Sequence, residues 1–140
     1  MKRSASAVWK GGLQDGRGTV STESGTLSSA PYNFKMRFEN EKGTNPEELV
    51  AAAHAACFSM ALSKILADGG MTAESIDTKA TVSLDKGDAG FSVTSSHLDT
   101  TVKIPNANKT AFDEAVEKAK AGCPISRLLN TTITLTANLI

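Results

Sequence analysis

The feature that most restricts the fold of this chain is an apolar segment from Leu49 to Leu62, rich in alanine and nearly free of polar side chains. The residues before it stand in the order expected for a helix start, with a cap, a proline and two acidic residues: Thr44 or Asn45, then Pro46, Glu47 and Glu48. Two glycines at 69–70 end the helix. A helix that is apolar on every side has to be buried, so we expect it in the middle of a domain or of a dimer.

Strand patterns are grouped in runs on both sides of this helix. They predict strands at 5–9, 19–22, 32–38, 75–84, 91–104 and 131–139, with further helices at 110–121 and 124–129 and a hairpin loop at 85–90. Strands in runs, without strict alternation with helices, predict an α+β fold with mainly antiparallel sheets. The 140 residues are enough for one domain spanning residues 1–140.

The segment before the apolar helix alternates apolar and polar side chains. Its apolar members are Tyr32, Phe34, Met36 and Phe38. A period of two predicts a half-buried strand. On that strand Arg37 would lie on the opposite, polar face.

The charges of the chain balance, with 15 lysines and arginines against 15 aspartates and glutamates. A net charge of zero gives no general attraction to nucleic acid or to an anionic membrane, so neither is expected as a partner. No apolar run is expected to reach the roughly 20 residues of a membrane helix, and the N-terminus lacks the apolar core of a signal peptide. We therefore predict a cytoplasmic protein, in a compartment where thiols are normally reduced.

The chain has two cysteines, Cys57 and Cys123, and their local surroundings differ. Cys123 precedes Pro124 at the start of a predicted short helix, whose free N–H groups favour a thiolate. Cys57 lies about three turns inside the long helix and has no such local donor. Alone it would be an inert apolar residue. A reducing compartment argues against a permanent disulfide and for transient thiol chemistry.

Cys57 becomes a nucleophile only if a cation reaches it from elsewhere in the fold. Arg37 and Arg17 are the candidates, and a carboxylate, Glu47 or Glu48, could hold such an arginine in a bidentate pair. The alternative is that the arginine lies on a solvated strand face and the glutamates serve only the helix dipole.

Helix geometry limits how Glu47 and Cys57 can cooperate. They are ten residues apart, which corresponds to about 15 Å along a straight helix. Glu47 therefore either shares no site with Cys57 or meets the Cys57 of another subunit. Two antiparallel copies of the apolar helix, crossing in a two-fold dimer, would bring the start of one near the middle of the other.

His54, three residues before Cys57, allows two interpretations. It either forms a Cys/His dyad or is a hydrogen-bonded core residue. The two cysteines and two histidines have no zinc-ligand spacing, and Gly16-Arg17-Gly18 lacks the strand-to-helix context of a phosphate loop. We expect neither a metal nor a cofactor.

Four segments of the chain, 18–25, 37–49, 53–62 and 118–127, resemble the OsmC/Ohr family of thiol-dependent hydroperoxide reductases, and its OsmC branch in particular. The resemblance implies an intertwined homodimer, with a long central helix from each subunit flanked by sheets and with sites at the subunit interface. It implies that Cys57 is the peroxidatic thiolate and Cys123 the resolving thiol. Arg37 matches the arginine that activates the thiolate and binds the peroxide, and Glu47 the glutamate that holds it. Arg17 is the nearest equivalent of the arginine used by the Ohr branch.

The resemblance also implies a reaction cycle for organic hydroperoxides and leaves open whether hydrogen peroxide is reduced as well. Cys57 would become a sulfenic acid, condense with Cys123 to a disulfide, and be restored by a thiol or a dithiol such as a lipoyl group. Two other functions are compatible with the residues. One is a non-enzymatic stress or ligand-binding dimer, and the other is a protein that uses its disulfide for stability.

Overall fold

The computed structural model describes residues 1–140 as two compact units, Met1–Leu49 and Val50–Ile140. The elements are, in chain order, β1 (Ala5–Lys10), β2 (Arg17–Thr22), β3 (Ala30–Tyr32), α1 (Phe34–Phe38), α2 (Pro46–Asp68), β4 (Ser75–Gly87), β5 (Gly90–Lys103), α3 (Lys109–Gly122), α4 (Pro124–Leu128) and β6 (Thr132–Leu139). The α+β class predicted from the sequence is confirmed. A single domain over residues 1–140 stays a prediction.

The first unit contains an antiparallel sheet in the order β1-β2-β3. Gly18 in its central strand is paired with Trp9 on one side and Tyr32 on the other. The two rings meet over this glycine, with centroids 5.5 Å apart. A Cβ atom on Gly18 would lie 2.5 Å from the Tyr32 ring. The absence of a side chain at this position therefore permits the aromatic contact.

The strand predicted at 32–38 is wrong, because β3 ends at Tyr32 and the next residues form the short helix α1. Asn33 caps this helix, since its side chain accepts a hydrogen bond of 2.8 Å from the Met36 N–H. Phe34 and Phe38 stack one turn apart, with centroids separated by 4.9 Å. Apolar residues four apart lie on the same side of a helix and also on the same side of a strand. The cap at Asn33 stabilises the helix, and this segment is therefore helical.

Helix α2 follows the predicted bounds closely and is capped by Asn45, whose side chain accepts a hydrogen bond of 2.8 Å from the Glu48 N–H. Its buried residues recur every four positions and are His54, Phe58, Leu62 and Leu66. We expected α2 to be buried on every side, but within one chain it is not. A stripe on another face is exposed and includes Ala52, Ala56, Met60, Lys64 and Ala67, with Met60 at 76% exposure.

The sequence led us to expect no apolar segment as long as a membrane helix, and helix α2 contradicts this expectation. It is long and apolar enough to cross a membrane by length and composition. The core helix of a soluble protein meets the same criteria. The four buried positions at helical spacing fit this second interpretation, because they give α2 one face that packs against the core.

The second unit contains a sheet in the order β4-β5-β6. Strands β4 and β5 form a longer hairpin than predicted and reach Gly87 and Gly90, the latter at a φ of 110° that suits glycine. Strands β5 and β6 are parallel, unlike the other pairs. The connection between them passes through α3 and α4, as parallel neighbours require. Cys123 lies between these two helices, next to the core formed by β5, α2 and α3.

Candidate active site at the two cysteines

The start of α4 brings the two cysteines together. Cys123 is the N-cap of this helix, as predicted, and its Sγ accepts a hydrogen bond of 3.3 Å from the Ser126 N–H. The Sγ of Cys57 accepts from the Ile125 N–H at 3.5 Å. The two sulfurs therefore accept hydrogen bonds from consecutive backbone N–H groups in the first turn of one helix. No local donor to Cys57 is expected from the sequence, and the fold supplies one from a distant segment.

The pKa of Cys57 is nevertheless raised above its ordinary value. Burial is the main cause, the Ile125 N–H acts in the opposite direction, and the neighbouring Cys123 raises the pKa further. Cys57 is half-buried, whereas Cys123 has no exposed surface. A reactive thiolate at Cys57 thus requires a positive charge in addition to these groups.

An apolar cavity of about 490 Å³ borders Cys57. Its walls come from α2 and from the residues around the start of α4: Met60, Ala61, Lys64, Ile65, Gly122 and Pro124. Cys57 is therefore accessible from one side, while Cys123 is enclosed by the core.

In the first unit, Arg37 and Glu47 form the bidentate pair that was considered from the sequence. The Nε of Arg37 donates to Oε2 at 3.2 Å and its Nη2 donates to Oε1 at 2.8 Å. The guanidinium also lies 5.1 Å from the centroid of the Phe38 ring. The other two candidates take no part in this pair, and both are exposed, Glu48 on α2 and Arg17 on β2.

The same arginine borders a cavity of about 290 Å³ with mostly apolar walls. The walls include Trp9, Leu13, Tyr32, Phe34 and Phe38. The cavity thus combines an aromatic lining with a guanidinium whose orientation the Glu47 carboxylate fixes.

His54 forms no hydrogen bond with Cys57 and is a hydrogen-bonded core residue. Its Nδ1 lies 2.7 Å from the Oγ of Ser96, and its Nε2 lies 2.8 Å from the Oγ of Ser126. The sequence reasoning missed both serines. The position of Ser126 three residues after the capping Cys123 was a usable signal, because that spacing joins a cap to the first helical turn. Ser96 carries no local signal of this kind.

Burial lowers the pKa of His54, which predicts a specific loss of stability in mild acid. Below about pH 6.5 the unfolded chain gains a proton at this residue that the folded chain does not take up. The free energy of unfolding should therefore fall by up to about 1.4 kcal/mol per pH unit over this range, until the lowered folded pKa is reached. Urea unfolding of the wild type and of His54→Gln at pH 7.5 and 5.5 measures the effect. Equal pH dependence in both proteins would contradict it.

Comparison with known proteins bears on this arrangement of cysteines, arginine and glutamate. The family model described as OsmC-like protein matches residues 39–138. The chain belongs to the OsmC family. It is 58% identical over 129 residues to peroxiredoxin OsmC of Escherichia coli strain K12, which is 92% of this chain and 90% of that protein. The resemblance inferred from the sequence is confirmed.

More distant members share the fold. Organic hydroperoxide resistance protein-like 2 of Staphylococcus epidermidis is 31% identical over 118 residues, 83% of this chain and 80% of that protein. The crystal structure of an OsmC-like protein from Mycoplasma pneumoniae aligns with 100% of this chain and 98% of its own, with a TM-score of 0.77 and 18% identity. The OsmC-like α+β fold is thereby confirmed.

Proposed function

We propose that this member of the OsmC family is a thiol-dependent peroxidase that reduces organic hydroperoxides to alcohols. The observation that carries the proposal is the meeting of two thiols at the start of α4, one accessible from a cavity and one buried. The names of two relatives support it, one a peroxiredoxin and the other an organic hydroperoxide resistance protein.

In the first step the Cys57 thiolate attacks the terminal oxygen of the hydroperoxide. A sulfur–oxygen bond forms, the peroxide bond breaks, and the departing alkoxide takes a proton to become the alcohol. In the second step the sulfur of Cys123 attacks the sulfur of the sulfenic acid. The disulfide forms and water leaves. A thiol or dithiol, a lipoyl group included, then reduces the disulfide, in keeping with a cytoplasmic location.

The activating cation is Arg37 in this proposal, held by Glu47. The raised pKa of Cys57 means that the groups around it within its own unit do not suffice. Glu47 and Cys57 lie ten residues apart on one continuous helix, or about 15 Å along its axis. We therefore assign Arg37 of one subunit to the Cys57 of the other. The exposed stripe on α2 supports a homodimer, because its alanines leave room for a second helix and its exposed Met60 would be buried by one.

The cavity beside Arg37 favours apolar hydroperoxides. Its aromatic walls can accept a hydrocarbon group, while the guanidinium can bind the peroxide oxygens. Hydrogen peroxide could bind the guanidinium but has no hydrocarbon group to contact the aromatic walls. We therefore expect aryl and long-chain alkyl hydroperoxides to react faster than hydrogen peroxide.

One equivalent of cumene hydroperoxide mixed with the reduced protein tests the proposal. We expect one equivalent of the alcohol, and a chain that has lost two hydrogens and contains a Cys57–Cys123 linkage by peptide mass spectrometry. The same experiment with hydrogen peroxide, compared by rate, measures the preference for apolar substrates. Recovery of intact hydroperoxide together with two free thiols would overturn the assignment and favour a ligand-binding protein.

A further inference from the structure

A buried chain of hydrogen bonds leads away from the sulfur of Cys123. The Sγ lies 3.3 Å from the Oγ of Ser126, which lies 2.8 Å from Nε2 of His54, whose Nδ1 lies 2.7 Å from the Oγ of Ser96. We propose that Ser126 and His54 carry the proton away from the Cys123 thiol when this sulfur forms the disulfide. The proposal rests on the proposed peroxidase function and adds two residues to it.

Burial makes such a path necessary. Cys123, His54 and Ser96 have no exposed surface and Ser126 has 6%, so bulk water does not reach the thiol directly. The Cys123 sulfur contacts the hydroxyl of Ser126 and the side chain of Cys57. Because the Cys57 sulfur is the atom that Cys123 attacks, Ser126 is the group that takes the proton of this thiol in the proposal.

The ring of His54 fits the role of acceptor. Both nitrogens are engaged by serine hydroxyls, so a neutral ring has one donor and one acceptor within the chain. With Nδ1–H donating to Ser96, Nε2 accepts from the Ser126 hydroxyl, and the Ser126 oxygen is free to accept from the thiol. Burial lowers the pKa of His54, so the ring is neutral and Nε2 is unprotonated in the reduced protein, before the step begins.

The step balances as follows. Cys123 gives its proton to the Oγ of Ser126 while the Ser126 hydroxyl proton moves to Nε2 of His54. The Cys123 sulfur attacks the sulfur of the Cys57 sulfenic acid, the sulfur–sulfur bond forms and the sulfur–oxygen bond breaks. The departing hydroxide takes a proton from solvent, and the proton on His54 returns through Ser126 to the Cys123 thiolate when the disulfide is reduced. The Ser126 N–H, 3.3 Å from the Cys123 sulfur, stabilises the negative charge that develops there.

Ser126 contacts a reacting atom and is a catalytic residue in this proposal, whereas His54 acts through Ser126 as a positioning residue. Neither nitrogen of His54 bonds to Cys57, so the relay concerns the second step of the cycle and leaves the first step unchanged.

The decisive variant is Ser126→Ala, which removes the hydroxyl and keeps the backbone donor to Cys123. Stopped-flow kinetics should show an unchanged rate of sulfenic acid formation and a disulfide step slowed by about 100-fold or more. The sulfenic acid should then accumulate and be trapped by dimedone. The wild-type disulfide step should slow in deuterium oxide, and this isotope effect should shrink in Ser126→Ala. Thr100→Val is the matched control, since it removes a buried hydroxyl that bonds to Thr78 at 2.9 Å.

His54→Gln supplies a second variant, because glutamine keeps a polar group but does not accept the proton. It should slow the disulfide step and spare the first step. Nitrogen NMR of the reduced wild type is independent of any variant and should find the proton of His54 on Nδ1. A proton on Nε2 would overturn the relay. So would an unaltered disulfide step in Ser126→Ala, or a slowed step whose isotope effect persists. Absence of sulfenic acid formation in the wild type would instead overturn the proposed function.

Discussion

The Cys57→Ser variant is expected to lose peroxide reduction, with a rate at least about a thousandfold below that of the wild type. A serine hydroxyl is far less nucleophilic than a thiolate, and it has no base among its contacts. Cys123 does not substitute for the missing thiol, since its sulfur has no exposed surface and lies in the core. Consumption of cumene hydroperoxide, followed with a thiol reductant in excess, is the measurement.

Cys123→Ser is the matched control for this prediction. It retains Cys57 and the first step, so one equivalent of hydroperoxide per chain should still be consumed. The sulfenic acid then persists and can be trapped, or is oxidised further by excess peroxide. Full turnover by Cys57→Ser, with Cys123→Ser inactive in the first step, would reverse the roles of the two thiols.

A mixture of Arg37→Gln and Cys57→Ser subunits is expected to regain activity that neither variant has alone. Arg37→Gln by itself should slow sulfenic acid formation by about a hundredfold or more, because the guanidinium that favours the thiolate is lost. If the arginine of one subunit serves the cysteine of the other, each mixed dimer has one intact site. Random pairing then yields about a quarter of the wild-type rate.

Co-refolding of the two variants in equal amounts, followed by the hydroperoxide assay, measures this recovery. A mixture of Arg37→Gln with Glu47→Gln is the control, since both changes damage the same pair and no mixed dimer gains an intact site. An inactive first mixture, with mixed dimers demonstrated by mass spectrometry, would place the arginine and the cysteine of each site in one subunit.

The sequence predicted most elements of the fold because they are specified locally. The cap and the proline of helix α2 stand in the sequence in the order that a helix start requires. Helix α3 ends at Gly122, one residue beyond its predicted end at 121. The strand predicted at 32–38 was wrong because Phe34 and Phe38, four residues apart, lie on one side of a strand and also on one side of a helix. The side chain of Asn33 caps the helix and so favours it. The parallel pairing of β5 and β6 depends on a long-range connection, which no local pattern encodes.

The site was only partly predictable for the same reason. The capping role of Cys123 follows from its neighbours along the chain. The Ile125 N–H at Cys57 and the contacts of His54 join segments far apart in sequence, and only folding brings them together. The pairing of Arg37 with Glu47 was one of several open choices until the geometry selected it.

In the proposed cycle, the unequal exposure of the two sulfurs has a consequence for how the Cys57–Cys123 disulfide is reduced. An incoming thiol can approach the disulfide only from the cavity beside Cys57, so it attacks this sulfur and Cys123 departs. The mixed disulfide of the cycle therefore forms on Cys57, and the departing thiolate is received by the Ser126 N–H. Selection of the reductant then depends on which thiols can reach a half-buried sulfur beside the walls of this cavity.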